Sequence, residues 1–257
     1  REKLRKMSRA YIHETLSAQL DARLKEMGVS GYSIENISQV QDKDGEWRPI
    51  DSDKDPTVIL LHYSSILEDT INYIPPRVKI EISCLSMDEP TELRQIHSLI
   101  GESFDGEDTD AESLVRTVVP TRTFLEKLFL LAEEFQKEKP RSVRMSRHLY
   151  DLEKLMDTEY GKEALSNRKL YDSIVEHRKA YYALKYVNYD LHVPSTINFT
   201  IPESVIEAWQ DDYADMRRFF IYGESLEFDE LMQKMRELQE RVRIMSVSYT
   251  HLTLPTT

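Results

Sequence analysis

The chain has 257 residues, with 34 Lys+Arg against 46 Asp+Glu and a formal net charge of −12. That length can bury one large core or two modest ones. No run approaches the ~20 apolar residues of a membrane span, and no apolar signal segment is present among these residues, so the cytoplasm is the expected compartment. The single cysteine, Cys84, excludes a disulfide framework and a cysteine-built zinc ribbon. None of the seven glycines is spaced as G-x-G, which excludes Rossmann and P-loop phosphate cradles.

The chain opens at Arg1, already inside a helical pattern: Leu4, Met7, Tyr11, Leu16, Leu20, Leu24 and Met27 recur at helical spacing, and Gly28 is a natural stop. This opening predicts a longer parent protein. Residues 29–120 read as α+β. Val58 to Tyr63 is an apolar run of strand length, and Arg77 to Ser83 alternates, with Val78, Ile80 and Ile82 on one face and Lys79 and Glu81 on the other. Asp42 to Asp55 reads as a polar connection. Residues 86–115 hold nine acids against one arginine, Arg94, and predict a solvated surface with a loop around 105–110.

Residues 122–244 read as mostly helical, interrupted near Pro140, Gly161, His192 to Pro194 and Gly223. The last helix repeats Phe228, Leu231, Met235, Leu238 and Val242 at spacings of three and four, a pattern that suits the core face of a bundle better than a coiled-coil seam. Residues 122–148 carry seven bases against four glutamates, so an acidic protein has one place suited to a polyanion. From Met245 onward charge vanishes, and Val247 to Thr257 resembles a translated library adapter, expected to stand outside the fold. The organisation expected is a core over residues 1–120, a motif-bearing helical region over 121–190, C-terminal helices over 191–245 and a non-native tail over 246–257.

Three stretches carry possible chemistry. On the strand, Lys79 and Glu81 project from one face about 7 Å apart. A carboxylate held on a sheet is a good magnesium ligand and the ammonium suits a phosphate, although a water-facing charge pair fits the same residues. In Pro120 to Ala132, Thr123 and Glu126 fit the T-x-x-E capping box, which would place Lys127 in the first turn, where a cation opposes the helix dipole unless an anion binds beside it. In Arg144 to Leu155, Met145, Leu149, Leu152 and Met156 form the inward stripe, while Arg144, Arg147 and Asp151 share another face. Two guanidiniums beside a carboxylate suit a phosphate site.

In their order, Lys79-Ile-Glu81, Thr123-x-x-Glu126-Lys127 and Arg144-x-x-Arg147-His-x-x-Asp151-Leu152 resemble the later motifs of the AbiEii/AbiGii-type toxin nucleotidyltransferases, within the polymerase-β-like superfamily. The resemblance spans roughly residues 1–185. It implies an α+β fold, with a mixed sheet and flanking helices followed by a mainly helical C-terminal region. It also implies magnesium-dependent transfer of NMP from an NTP, with tRNA an acceptor for some relatives, and a cognate antitoxin or phage-defence partner. By resemblance Lys127, Asp151 and Glu81 are the catalytic set, Glu81 being the metal ligand. Lys79, Arg144 and Arg147 would hold the nucleotide.

One family motif is missing: a Gly-Gly/Ser turn leading into Asp-x-Asp on an apolar strand. Asp42/Asp44, Asp51/Asp53 and Asp108/Asp110 have the spacing but lie in polar stretches without the turn. Two-metal phosphoryl transfer relies on such paired carboxylates, so this chain is expected to be inert although its parent is an enzyme. His148 stands where many relatives carry an acid. The rival reading is a non-catalytic helical interaction module, in which the three stretches are helix caps and surface ion pairs. A serine hydrolase is disfavoured because Gly101-Glu-Ser103 and Gly223-Glu-Ser225 lack the second glycine of the nucleophile elbow, and the seven histidines show no paired metal-ligand spacing.

Overall fold

The computed structural model describes residues 2–41, 46–50, 55–66, 75–84, 90–104 and 112–245. The chain divides into two compact units, Arg1–Met87 and Asp88–Thr257. The Asp-x-Asp pairs at 42/44, 51/53 and 108/110 and the tail from 246 lie outside the described residues.

In the first unit α1 (Glu2–Tyr11) runs through one π turn, Ile12–Leu16, into α2 (Ser17–Glu26). A π turn takes an extra residue and rotates the face that follows. Leu4, Met7 and Tyr11 are exposed, whereas Ile12 is buried and Leu16, Leu20 and Leu24 are half-buried, so the apolar spacing is continuous but the buried face is not. Gly28, at φ +76, ends the helix in the left-handed conformation that glycine adopts without steric penalty. Then β1 (Tyr32–Asn36), β2 (Gln39–Gln41), β3 (Trp47–Pro49), β4 (Thr57–Tyr63) and β5 (Arg77–Ile82) follow. β1, β4 and β5 form an antiparallel sheet with β4 central, and β2 pairs in a small ribbon with β3, which lies inside the stretch that reads as a polar connection. The apolar β4 is central because its Ile59 and Leu60 need cover. Tyr32 ties β1 to α2 through a 2.9 Å hydrogen bond from its hydroxyl to Asp21.

The second unit opens with β6 (Thr91–His97), α3 (Leu99–Ser103) and β7 (Glu112–Val118), the two strands pairing antiparallel from Thr91↔Val118 to His97↔Glu112. This ribbon lies within the acid-rich stretch that the sequence suggests is only a solvated surface. Its alternation is masked there by charge on both faces. All ladders among the described residues are antiparallel.

The rest is helical: α4 (Pro120–Glu134), α5 (Arg147–Met156), α6 (Glu159–Ser166), α7 (Arg168–His177) with a π turn at Arg178–Tyr182, then α8 (Ile206–Phe219) and α9 (Phe228–Ile244). The core is built from Phe124, Leu125, Leu128 and Phe129 on α4, Leu149 and Leu152 on α5, Tyr171 and Ile174 on α7, Trp209 on α8 and Leu231, Leu238 and Val242 on α9. Burying such a side chain stabilises by about 1.5–3 kcal/mol. Phe129 and Tyr171 meet edge to face at 4.8 Å. The Phe228 to Val242 stripe faces this interior, so it is core and not an open seam. Gly161 does not interrupt a helix. It sits inside α6, where a Cβ would overlap the Leu155 carbonyl and come 2.8 Å from the Met156 Cα. The chain breaks instead at Asp157, and Thr158 caps α6 by accepting from the Gly161 N–H.

Candidate functional site

The site is built from the top of α4 outward. Pro120 occupies the first helical turn, with Val119 as the cap residue. Proline is pre-set for that position because its φ is helical and its missing N–H has no intrahelical partner there. The helix therefore starts three residues before Thr123, and Thr123 and Glu126 do not form a capping box. Lys127 consequently stands in the third turn, too far from the helix N-terminus to oppose the helix dipole.

Its partner is Asp151. Lys127 Nζ on α4 lies 2.6 Å from Asp151 Oδ2 on α5, both side chains partly open to solvent. The helix faces explain the meeting. Phe124, Leu128 and Leu131 turn one side of α4 inward while Leu149, Leu152 and Met156 do the same for α5, and Lys127 and Asp151 flank that shared contact. Arg147 begins α5 and is exposed, as is Arg144 just before it.

Directly after Arg147, His148 is buried, and its Nδ1 has no hydrogen-bond partner among the described residues. Burial, and then repulsion from Lys127, Arg147 and Arg141, pushes its pKa down to about 3, so it is neutral near pH 7.

Behind Lys127 runs a buried ionic chain that sequence reading missed. Arg178, in the π turn after α7, donates from Nε to Glu133 at 2.7 Å and from a terminal nitrogen to the same carboxylate at 2.5 Å. It also reaches Glu126, which accepts from Arg122 at 2.9 Å. Burial alone would lower the Arg178 pKa, but the hydrogen bonds and charge of Glu133 and the charge of Glu126 outweigh it and raise it. Next along α4, buried Glu134 takes Lys137 at 2.7 Å and Arg141 at 2.9 Å. Of the seven bases in residues 122–148, Arg122, Lys127, Lys137 and Arg141 thus each hold an acid, and the cationic surface is smaller than the composition suggests.

A second missed group is Asp212 on α8. Its carboxylate accepts from the backbone N–H of Arg144, of Met145 at 3.1 Å and of Ser146 at 2.9 Å, and from the Ser146 hydroxyl at 2.5 Å. Arg144 there has φ +57, the left-handed region. No local spacing signals this bond, since 66 residues separate Ser146 from Asp212.

Lys79 and Glu81 lie in the first unit on β5, an edge strand, opposite Leu60 and Val58 of β4. They share a face as expected and bind each other at 2.7 Å, both about half exposed. Thus Lys127 and Asp151 are brought together in the second unit, and Lys79 and Glu81 in the first. The fit to a metal is poor: no group of three His, Cys, Asp or Glu among the described residues could hold an ion, and Asp151 and Glu81 each already carry an ammonium. No helix of the described residues is long and apolar enough to cross a membrane.

Residues 7–234 match the family described as nucleotidyl transferase AbiEii toxin, type IV TA system. The chain belongs to the AbiEii family. The match takes in Lys79, Glu81, Lys127, Arg144, Arg147 and Asp151 together with the missed Arg178 and Asp212. It makes the chain a member of a nucleotidyltransferase family of toxin–antitoxin systems, with an NTP substrate and an antitoxin counterpart implied by that membership. No curated protein and no solved structure matches the chain.

Proposed function

We propose that this AbiEii chain binds the triphosphate of an NTP at Lys127, Arg144 and Arg147 and, as it stands, does not transfer the nucleotide. The observation that carries the reading is the Lys127–Asp151 pair across α4 and α5. It holds an ammonium at the edge of the apolar contact between α4 and α5, and α5 opens on Arg147 with Arg144 in the turn before it. Guanidiniums and an ammonium in this setting match the charge and hydrogen-bonding geometry of phosphate oxygens. Asp151 keeps Lys127 aimed while no ligand is bound, and gives it up when phosphate arrives.

In the family's reaction an acceptor hydroxyl gives its proton to water as its oxygen bonds to the α-phosphorus, the bond from that phosphorus to the bridging oxygen breaks, and pyrophosphate leaves. Glu81 is proposed as the third carboxylate and magnesium ligand of that reaction, Lys79 as a nucleotide contact, and tRNA as the acceptor. A cytoplasmic setting and a role in phage defence belong to the same proposal. The described residues do not fit a magnesium cradle, and no step is assigned to the ion. In-line phosphoryl transfer depends on positioning and charge neutralisation by such an ion, which is why transfer is not expected here.

The test is incubation of the purified chain with each α-labelled NTP, Mg²⁺ and bulk tRNA, paired with equilibrium dialysis of the same NTPs. The expected result is retention of NTP, weakened by Lys127→Ala, with no label on RNA. Robust labelling would overturn the assignment of inertness, and absence of NTP binding would overturn the site.

A further inference from the structure

The geometry points to Asp212 as the positioning residue of the triphosphate site: from α8 it locks the turn that presents Arg144 and Arg147. The inference rests on the proposed role of those arginines. It begins from a buried carboxylate whose acceptor capacity goes to three consecutive backbone N–H groups and one hydroxyl. A buried carboxylate is unfavourable unless it is hydrogen-bonded in this way, and four donors converging on one side chain is near its full capacity.

The bonds do two things at once. They hold Arg144 at φ +57, a conformation that strains a non-glycine residue and persists only when its surroundings over-determine it. They also occupy the three amides of the turn that leads into α5, while the His148, Leu149 and Tyr150 amides of its first turn donate to the Met145 and Ser146 carbonyls. Free N–H groups at a helix start are an anion site, but here these are already bonded within the protein. Incoming phosphate must therefore be met by side chains, and the turn decides where those side chains point. Arg144 projects from the strained residue itself, Arg147 begins α5, and Asp151 is one turn further on. A change in the turn moves all three relative to Lys127, which is anchored separately on α4.

Asp212 touches no substrate in this scheme. It is 61 residues beyond Asp151, on a helix that the family-like motifs do not include. Ser146 is the second half of the device. Its hydroxyl donates to Asp212 and lies 3.9 Å from the sulfur of Met216, one turn along α8.

The experiment uses inorganic tripolyphosphate as the probe, measured calorimetrically, with amide hydrogen exchange on the same samples. Asp212→Asn exchanges one acceptor oxygen for a donor aimed at N–H groups, so it should release the turn. Asp212→Glu keeps the carboxylate, and Ser146→Ala removes a single bond if the asparagine variant folds poorly. Expected are loss of protection at residues 144–146 without loss at α4 and α9, tripolyphosphate binding about tenfold weaker in Asp212→Asn, and substantial recovery in Asp212→Glu. Unchanged protection at 144–146 in both Asp212→Asn and Ser146→Ala would overturn the proposal, whatever the ligand does. So would unchanged affinity in Asp212→Asn alongside weakened Arg144→Ala and Arg147→Ala. Binding that is indifferent to Arg144→Ala and Arg147→Ala would instead overturn the underlying site and, with it, the positioning role.

Discussion

Lys127 on α4 and Asp151 on α5 meet at 2.6 Å, 24 residues apart in the chain, at the rim of a core that both helices help to fill. The pair is self-neutralising, so phosphate must compete with a carboxylate for the ammonium. In metal-free buffer Lys127→Ala should weaken tripolyphosphate binding about tenfold, the loss of one charge-assisted contact. Asp151→Asn should do the opposite and strengthen it several-fold, because it frees Lys127 and removes a repelling charge. Calorimetric titration of both variants reads the two signs. Both should leave the melting temperature nearly unchanged, since a partly exposed ion pair contributes little to stability.

Arg178 should matter far more to stability. Replacing it with alanine leaves Glu133 buried without its partner and takes one from Glu126. Breaking a buried pair from one side costs about 3–5 kcal/mol. Replacing Arg178 by Met together with Glu133 by Leu should recover much of that loss, because no charge is then left stranded. Urea unfolding midpoints of the single and double variants decide it.

His148 and His192 give the protein a defined acid sensitivity. Burial pushes both pKa values down, to about 3 and about 4, aided by the cations around His148 and by Arg178 beside His192. The unfolded chain takes up these protons near pH 6.5 while the folded chain refuses them. Stability is therefore full above about pH 6.5 and falls as pH drops below it, by about 1.4 kcal/mol per pH unit for each histidine. Between pH 6.5 and 5.5, before most carboxylates titrate, His148→Leu should remove about half of that slope in denaturant titrations.

Gly161→Ala tests the α5–α6 packing. The added methyl would meet the Leu155 carbonyl and the Met156 Cα, backbone atoms that cannot rotate away. The expected loss is about 1–3 kcal/mol, despite alanine being the better helix former, and thermal unfolding reads it directly.

Much of the helical half could be read in the residues because burial imposes a period. Phe228 to Val242, Met145 to Met156 and Phe124 to Leu131 repeat at helical spacing, and all are buried as that spacing requires. β4 was legible as a short apolar run and β5 by its alternation, although Val78 of β5 is exposed. The start of α4 was misread because T-x-x-E is satisfied by chance more readily than Pro120 sets a first turn. β6 and β7 were missed because both faces carry charge and neither is buried deeply enough to leave an apolar alternation.

The sequence by itself determined which helices exist, which face of each is apolar, and the family, because these depend on residue identity and short-range spacing. Only the tertiary structure decided which charges meet: Lys127 with Asp151, Arg178 with Glu126 and Glu133, Asp212 with the turn at Arg144. Each of those contacts joins residues from different elements of the fold. Their separation along the chain carries no periodic signal, and the contacts form only when apolar packing has fixed the helices side by side.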